Sequence, residues 1–126
     1  MSKNKKILII DDEVYIRRVL ELKLKNHGFQ VLTAVNGEEG LALIKDQQPD
    51  VVVSDIMMPK LDGKTLCEKV NPLKKKRPFL TIMITARINP AEREWIAQMQ
   101  DTLFMEKPFS PNKVLDQVEK YLKEQE

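Results

Sequence analysis

At 126 residues, with 42% hydrophobic and 32% charged side chains, the chain has the composition of one soluble globular domain, 1–126, large enough to bury about two-thirds of its unfolded surface. A net charge of +2 gives no ground for a nucleic-acid or anionic-membrane ligand, and the single cysteine, Cys67, excludes an internal disulfide and suits a reducing cytoplasm. The basic start Met1-Ser2-Lys3-Asn4-Lys5-Lys6 is followed only by the short apolar run Ile7 to Ile10 before two aspartates, which is neither a signal peptide nor a membrane span.

In chain order, Ile7-Leu8-Ile9-Ile10 reads as a strand that ends in acid, Asp11-Asp12-Glu13. Ile16, Val19, Leu20 and Leu24 then fall on one helix face, Arg17, Arg18, Glu21 and Lys25 on the other, and His27-Gly28 supplies the stop. Phe29, Val31, Thr33 and Val35 form a loosely alternating second strand. Asn36-Gly37 turns into a short helix over Glu38 to Asp46, with Leu41 and Ile44 inward, and Pro49 ends the connection. Val51-Val52-Val53-Ser54-Asp55 has no polar alternation, the pattern of a central parallel strand buried on both faces, and it delivers a carboxylate at its carboxyl end. Pro59 and Gly63 shape the loop behind it.

Lys64 to Asn71 reads as a helix with Leu66 and Val70 facing in, closed by Pro72. The run Lys74-Lys75-Lys76-Arg77 is read as a solvated loop in preference to a nucleic-acid or localisation patch. Phe79 to Ile84 is the fourth strand and carries Thr85-Ala86 to the same edge as Asp55. Pro90 to Met99, with Trp95 near the surface, is a helix, and Thr102 to Met105 is a fifth strand leading into Glu106-Lys107-Pro108-Phe109. Ser110 caps a last helix with Pro111 in its first turn and Val114, Leu115, Val118 and Leu122 on its buried stripe.

Five strands alternating with five helices predict an α/β fold, a parallel sheet of order 2-1-3-4-5 covered on both faces by right-handed crossovers. In that order the first and third strands are neighbours at the switch point, so Asp11, Asp12 and Asp55 converge in one crevice. Two carboxylates about 4 Å apart repel by roughly 4 kcal/mol at an effective dielectric near 20. A hard divalent cation such as Mg2+ relieves that repulsion and withdraws charge from an incoming phosphoryl group, which Asp55 could attack as nucleophile to give an aspartyl phosphate. Lys107 would supply a second positive charge and Thr85 a hydroxyl donor. A blander reading, Asp11 and Asp12 as cap and first-turn acids of the first helix, leaves Asp55 unexplained.

Together, Ile9-Ile10-Asp11-Asp12-Glu13, Asp55-Ile56-Met57-Met58-Pro59 with Asp62-Gly63, Thr85-Ala86 and Lys107-Pro108-Phe109 resemble, in order and spacing, the receiver domain of two-component response regulators, chemotaxis-regulator-like. The resemblance covers essentially the whole chain and implies the flavodoxin-like receiver fold. It implies Asp55 as phosphoacceptor, Asp11, Asp12, Asp55 and the Met57 carbonyl as the Mg2+ site, Lys107 as the phosphoryl-contacting lysine, and Thr85 and Phe104 as switch residues. It also implies a cis Lys107-Pro108 bond. Departures are Met99-Gln100-Asp101, where a small pair is common, and Phe104, which lacks the hydroxyl of the commoner tyrosine; Met57 and Arg87 stand at the positions that tune phosphoryl lifetime.

The implied function is a cytoplasmic signalling switch of a phosphorelay, phosphorylated by a sensor histidine kinase, a phosphotransfer protein or a small phosphodonor. It would read out to a protein target through the face of the fourth helix, fifth strand and fifth helix, or through a phosphorylation-dependent homodimer. Neither nucleic acid nor membrane is expected as a direct partner, and no external substrate turnover is expected. The chain would be either a stand-alone receiver or the front of a longer regulator. Two rivals are weaker. A Mg2+-dependent phosphohydrolase with an aspartate nucleophile would place it first in an Asp-x-Asp pattern after the first strand, and a flavodoxin-like binding module would need a loop rich in Ser, Thr and Gly there. Cys67 is expected to be a half-buried helix residue and His27 a solvated one.

Overall fold

Parallel neighbours cannot be joined by a tight turn, so each apolar run is followed by an amphipathic stretch long enough to cross the sheet. The computed structural model describes residues 5–57, 61–86 and 90–125. The chain runs β1 (Lys6–Ile10), α1 (Val14–Lys25), β2 (Gln30–Ala34), α2 (Gly37–Gln47), β3 (Val51–Asp55), α3 (Gly63–Lys76), β4 (Leu80–Thr85), α4 (Pro90–Ala97), β5 (Thr102–Glu106) and α5 (Pro111–Glu124). All pairings are parallel and the order is β2-β1-β3-β4-β5, as the alternation predicts.

The two-residue period of a strand splits the core into two layers. Ile7 and Ile9 of β1, with Val51 and Val53 of β3, face α1 and α5 through Leu20, Leu24, Val114 and Val118. Leu8, Ile10 and Val52 face α2 and α3 through Ile44, Leu66 and Val70. A smaller cluster under α4 joins Ile56, Cys67, Met83 and Ile96, with Trp95, Met99 and Phe104 half-buried against it. β3 and β4 are buried at every residue, which is why their sequences show no polar alternation. Side-chain caps start α2, α3 and α5: Asn36, Asp62 and Ser110 accept from the amides of Glu39, Thr65 and Asn112. Gly28, at φ 90°, takes the left-handed position that ends α1.

Most boundaries fall within two residues of the sequence expectation, and the largest difference is at the end of α3. α3 does not close at Pro72 but continues to Lys76, carrying the proline inside it. The proline removes one donor from the helix ladder, a local cost of about 3 kcal/mol, and tertiary contacts beyond it offset that cost. Lys74, expected in a solvated loop, is 1% exposed. Its Nζ donates to the carbonyls of Gln100 (2.6 Å) and Asp101 (3.0 Å) and to Thr102 Oγ1 (3.1 Å), and lies 4.9 Å from the centroid of Phe79. Asn71 Oδ1 accepts from the Gln100 amide, and the Gln100 side chain returns a bond to the Lys74 carbonyl.

The turn so held has Asp101 at φ 47°, and Tyr121 of α5 donates to its carboxylate at 3.0 Å. Burial pushes the Lys74 ammonium down to about 8. Cys67, expected half-buried, is 2% exposed, and burial pushes its thiol up to about 12.

Removing the buried amine takes three hydrogen bonds from this turn, leaving the Gln100 carbonyl only the Thr102 hydroxyl and the Asp101 carbonyl only the Thr81 amide as donors. Lys74→Met should therefore lower the unfolding free energy by roughly 2–4 kcal/mol at pH 7, measured by urea denaturation. The gap should widen as pH rises from about 8 toward 10.5, because over that window the unfolded chain holds a proton that the folded chain has released. A Lys74→Met protein as stable as the wild type would show that the ammonium contributes nothing to holding this turn.

Candidate functional site

Register brings the acids together. β1 and β3 pair Ile10 with Ser54, so Asp11 and Asp55 each follow that pair at the carboxyl edge of the sheet. β3 and β4 pair Asp55 with Ile84, which puts Thr85 one residue further on, and β4 and β5 pair Thr85 with Glu106, just before Lys107. The Lys107 amide donates to the Thr85 carbonyl at 2.7 Å. Asp11, Asp55 and Thr85 are 2%, 5% and 4% exposed, whereas Asp12 and Glu13 face solvent. Carboxylate oxygens from Asp11, Asp12, Glu13 and Asp55 lie within 4.8 Å of one another.

The hydrogen bonds divide the two oxygens of Asp55 between two partners. Oδ1 accepts from the Met57 amide at 3.0 Å, and Oδ2 accepts from Lys107 Nζ at 2.7 Å. Lys107 Nζ also lies 3.7 Å from Glu13 Oε1. Asp11 Oδ1 accepts from the Glu13 amide at 2.9 Å, and its carbonyl takes a bond from Arg17 of α1 at 2.7 Å. Behind Asp55, the Gly63 amide donates to the Ile56 carbonyl at 2.8 Å; a Cβ on Gly63 would sit 2.7 Å from Ile56 Cα, so this close approach of α3 to β3 requires glycine.

Burial pushes the Asp11 carboxyl up to about 6, opposed by the Glu13 amide and reinforced by the charge of Asp55. Burial alone would push the Lys107 ammonium down, but the hydrogen bond and charge of Asp55, with Asp11 and Glu13 behind them, carry it above the ordinary lysine range. The crevice thus holds more negative charge than Lys107 neutralises. Its donor set is all carboxylate oxygen, hard and closely spaced, which fits an oxygen-seeking divalent cation such as Mg2+.

Comparison with known proteins agrees with this arrangement. The family model for the response regulator receiver domain matches residues 7–119. The chain belongs to the response regulator receiver family. It is 39% identical over 122 residues to the probable transcriptional regulator ycf27 of Cyanophora paradoxa, covering 97% of this chain and 50% of that protein. It is 37% identical over 123 residues to the alkaline phosphatase synthesis transcriptional regulatory protein PhoP of Bacillus subtilis (strain 168), covering 98% and 50%. The chain therefore spans about half the length of these relatives. Among solved structures it resembles a CheY-like receiver domain from Methanospirillum hungatei JF-1, at 30% identity and TM-score 0.86 over 96% of this chain and 95% of that one. It also resembles the receiver domain of Francisella response regulator 1452, at 29% identity and TM-score 0.85 over 98% and 100%. No helix among the described residues is long and apolar enough to cross a membrane.

In this receiver the sequence-predicted residues Asp11, Asp12, Asp55 and Lys107 meet in one crevice, with Thr85 at the adjacent strand end and the Met57 amide on Asp55. Lys107-Pro108 is cis, as expected. Phe104 lies away from the acids, half-buried on β5 beside Trp95 and Met99, with the Arg93 guanidinium 5.4 Å from its ring centroid. Pro59 and Arg87 fall outside the described residues. Sequence reasoning assigned no role to Glu13, Arg17 or Arg93. Glu13 directly follows the two aspartates and Arg17 is one helical turn later, so both were within reach of a spacing argument; the Arg93 contact joins two elements and leaves no local signal.

Because Asp11 is buried beside like charge, Asp11→Asn should raise the unfolding free energy at pH 7 by on the order of 1–2 kcal/mol. The folded carboxyl binds its proton at higher pH than the unfolded one, so the wild type carries this penalty above about pH 6 and loses it near 4. The advantage of the variant should shrink across that window, as read by urea unfolding at both pH values. An advantage equal at pH 4 and pH 7 would contradict the charge explanation.

Proposed function

We propose that this receiver domain of two-component signalling is a switch thrown by phosphorylation of Asp55. The observation that carries the reading is the 2.7 Å bond from Lys107 to a buried aspartate at the end of the central strand, beside a second buried aspartate. A side-chain oxygen of Asp55 attacks phosphorus in line. The new O–P bond forms as the P–N bond of a phosphohistidine, or the P–O bond of a small acyl phosphate, breaks, and the electron pair leaves with the donor. The Met57 amide and Lys107 hold the carboxylate oriented before attack.

A Mg2+ ion held by Asp11, Asp12, Asp55 and the Met57 carbonyl would withdraw charge from the phosphoryl oxygens. Lys107 gives up its bond to the Asp55 carboxylate and takes one to a phosphoryl oxygen, and the Thr85 hydroxyl donates to another. Phosphorylation adds about −1.5 to −2 of charge, which biases a two-state equilibrium through Thr85 and Phe104. The readout is a changed α4-β5-α5 face, which binds a protein target or a second copy of the chain. Donors are a histidine kinase, a phosphotransfer protein or a small phosphodonor, and the setting is the cytoplasm. The phosphohydrolase rival is less well supported, since the carboxylate held by both an amide and a lysine is Asp55 and not an acid after β1.

Intact mass after incubation with Mg2+ and acetyl phosphate tests the reading. Wild type should gain one phosphoryl group, Asp55→Asn none, and chelation of the metal should abolish labelling. Trp95, the sole tryptophan, packs in the cluster with Ile56 and Phe104, so its fluorescence should shift on labelling. Lys107→Ala should still label but leave that fluorescence unchanged. Undiminished labelling of Asp55→Asn would assign the chemistry to another residue.

A further inference from the structure

Taking Asp55 as the phosphoacceptor, we propose that Glu13 positions Lys107, drawing its ammonium toward the open side of the crevice, where the oxygens of a transferred phosphoryl group come to lie. Glu13 occupies the N-cap of α1, a place where Asp, Asn, Ser or Thr would bond an exposed helix amide. Its side chain makes no such bond. Nor does any other acid stand in the first turn of α1 to complement the helix dipole. The carboxylate is turned instead to Lys107 Nζ, 3.7 Å away.

Its backbone is fixed at both ends: the amide donates to Asp11 Oδ1 at 2.9 Å and the carbonyl accepts from the Arg17 amide at 3.2 Å. A residue that forgoes the helix-start task available to it, while its charge faces the site lysine, breaks a local rule at a functional place.

The geometry gives the contact a direction. Lys107 lies between a side chain that is 6% exposed, Asp55, and one that is 59% exposed, Glu13. When Asp55 is esterified, its carboxylate charge is replaced by charge further out, on the phosphoryl oxygens. The ammonium must follow it outward, and Glu13 is the counter-charge on that side. Without Glu13, Lys107 is held only from the buried side, by Asp55 with Asp11 behind it, and must break its shortest bond with no carboxylate in contact on the outer side to draw it toward the phosphoryl oxygens.

Two effects of removing the charge oppose one another. A carboxylate that merely repels an anionic donor predicts faster labelling of Glu13→Gln; one that positions Lys107 predicts slower labelling, and only while Lys107 is present.

The experiment is a double-mutant cycle on the whole chain, with Mg2+ and acetyl phosphate as donor and intact mass as readout. Glu13→Gln should slow labelling about two- to fivefold, the size expected of an exposed ion pair, and should change nothing in a Lys107→Ala background. Glu13→Asp should stabilise α1 as a better cap yet slow labelling like Glu13→Gln, which a purely structural role would not do. The Lys107 ammonium NMR resonance, assigned by its loss in Lys107→Ala, needs no donor and should move in Glu13→Gln. Equal slowing in both backgrounds, faster labelling, or an unmoved ammonium resonance would each overturn the proposal. Wild type that fails to label, or labelling that survives in Asp55→Asn, defeats the phosphoacceptor reading instead, and the ammonium resonance still decides the contact.

Discussion

The pairing of one lysine with several crowded carboxylates is the constraint on which the rest of the molecule depends. Asp55 and Asp11 are both buried at the carboxyl edge of neighbouring strands, and Lys107 bonds the first at 2.7 Å while Asp12 and Glu13 stand at the rim. A single ammonium cannot neutralise so many acids. Asp11 feels this crowding on top of its burial: burial chiefly, and the charge of Asp55 after it, drive its carboxyl up to about 6. A site left short of positive charge fits an oxygen-seeking cation, and this shortage is what the parallel topology creates when it sets β1 beside β3.

The scaffold also links the site to the packing under α4. Ile56, next to the proposed phosphoacceptor, donates its amide to the Ile84 carbonyl at 2.9 Å and belongs to the cluster under α4 with Met83 and Ile96. Thr85 and Lys107 are tied directly through the backbone at 2.7 Å. A charge change at Asp55 is therefore one residue from the packing of α4 and two strands from Phe104. At the opposite edge, the turn before β5 is fastened by Lys74, Asn71 and Tyr121 from two helices. β5 is thus fastened at its start and tied to the acidic crevice at its end, where Lys107 follows it.

Most of this was legible in the sequence because it rests on local patterns of period two or 3.6 and on residues at strand ends. The unbroken apolar runs of β3 and β4 announced burial on both faces, and their ends announced Asp55 and Thr85. What escaped was tertiary. Pro72, with three lysines and an arginine soon after it, carries every local sign of a helix end, and contacts across 26 to 28 residues of sequence, from Lys74 to Gln100, Asp101 and Thr102, keep the helix going. Glu13 was read as part of an acidic motif; its orientation toward Lys107 depends on the fifth strand and could not be seen from α1 alone.

Paramagnetic broadening tests the central claim, that topology gathers these acids into one cation site, without recourse to any phosphoryl donor. Mn2+ added in small substoichiometric steps to isotope-labelled protein should first broaden the amide signals of Asp11, Asp12, Asp55, Ile56 and Met57, and Asp11→Asn should weaken the effect. Broadening that begins elsewhere, such as at Glu38 and Glu39 of α2, with the β1 and β3 ends unaffected, would contradict the account.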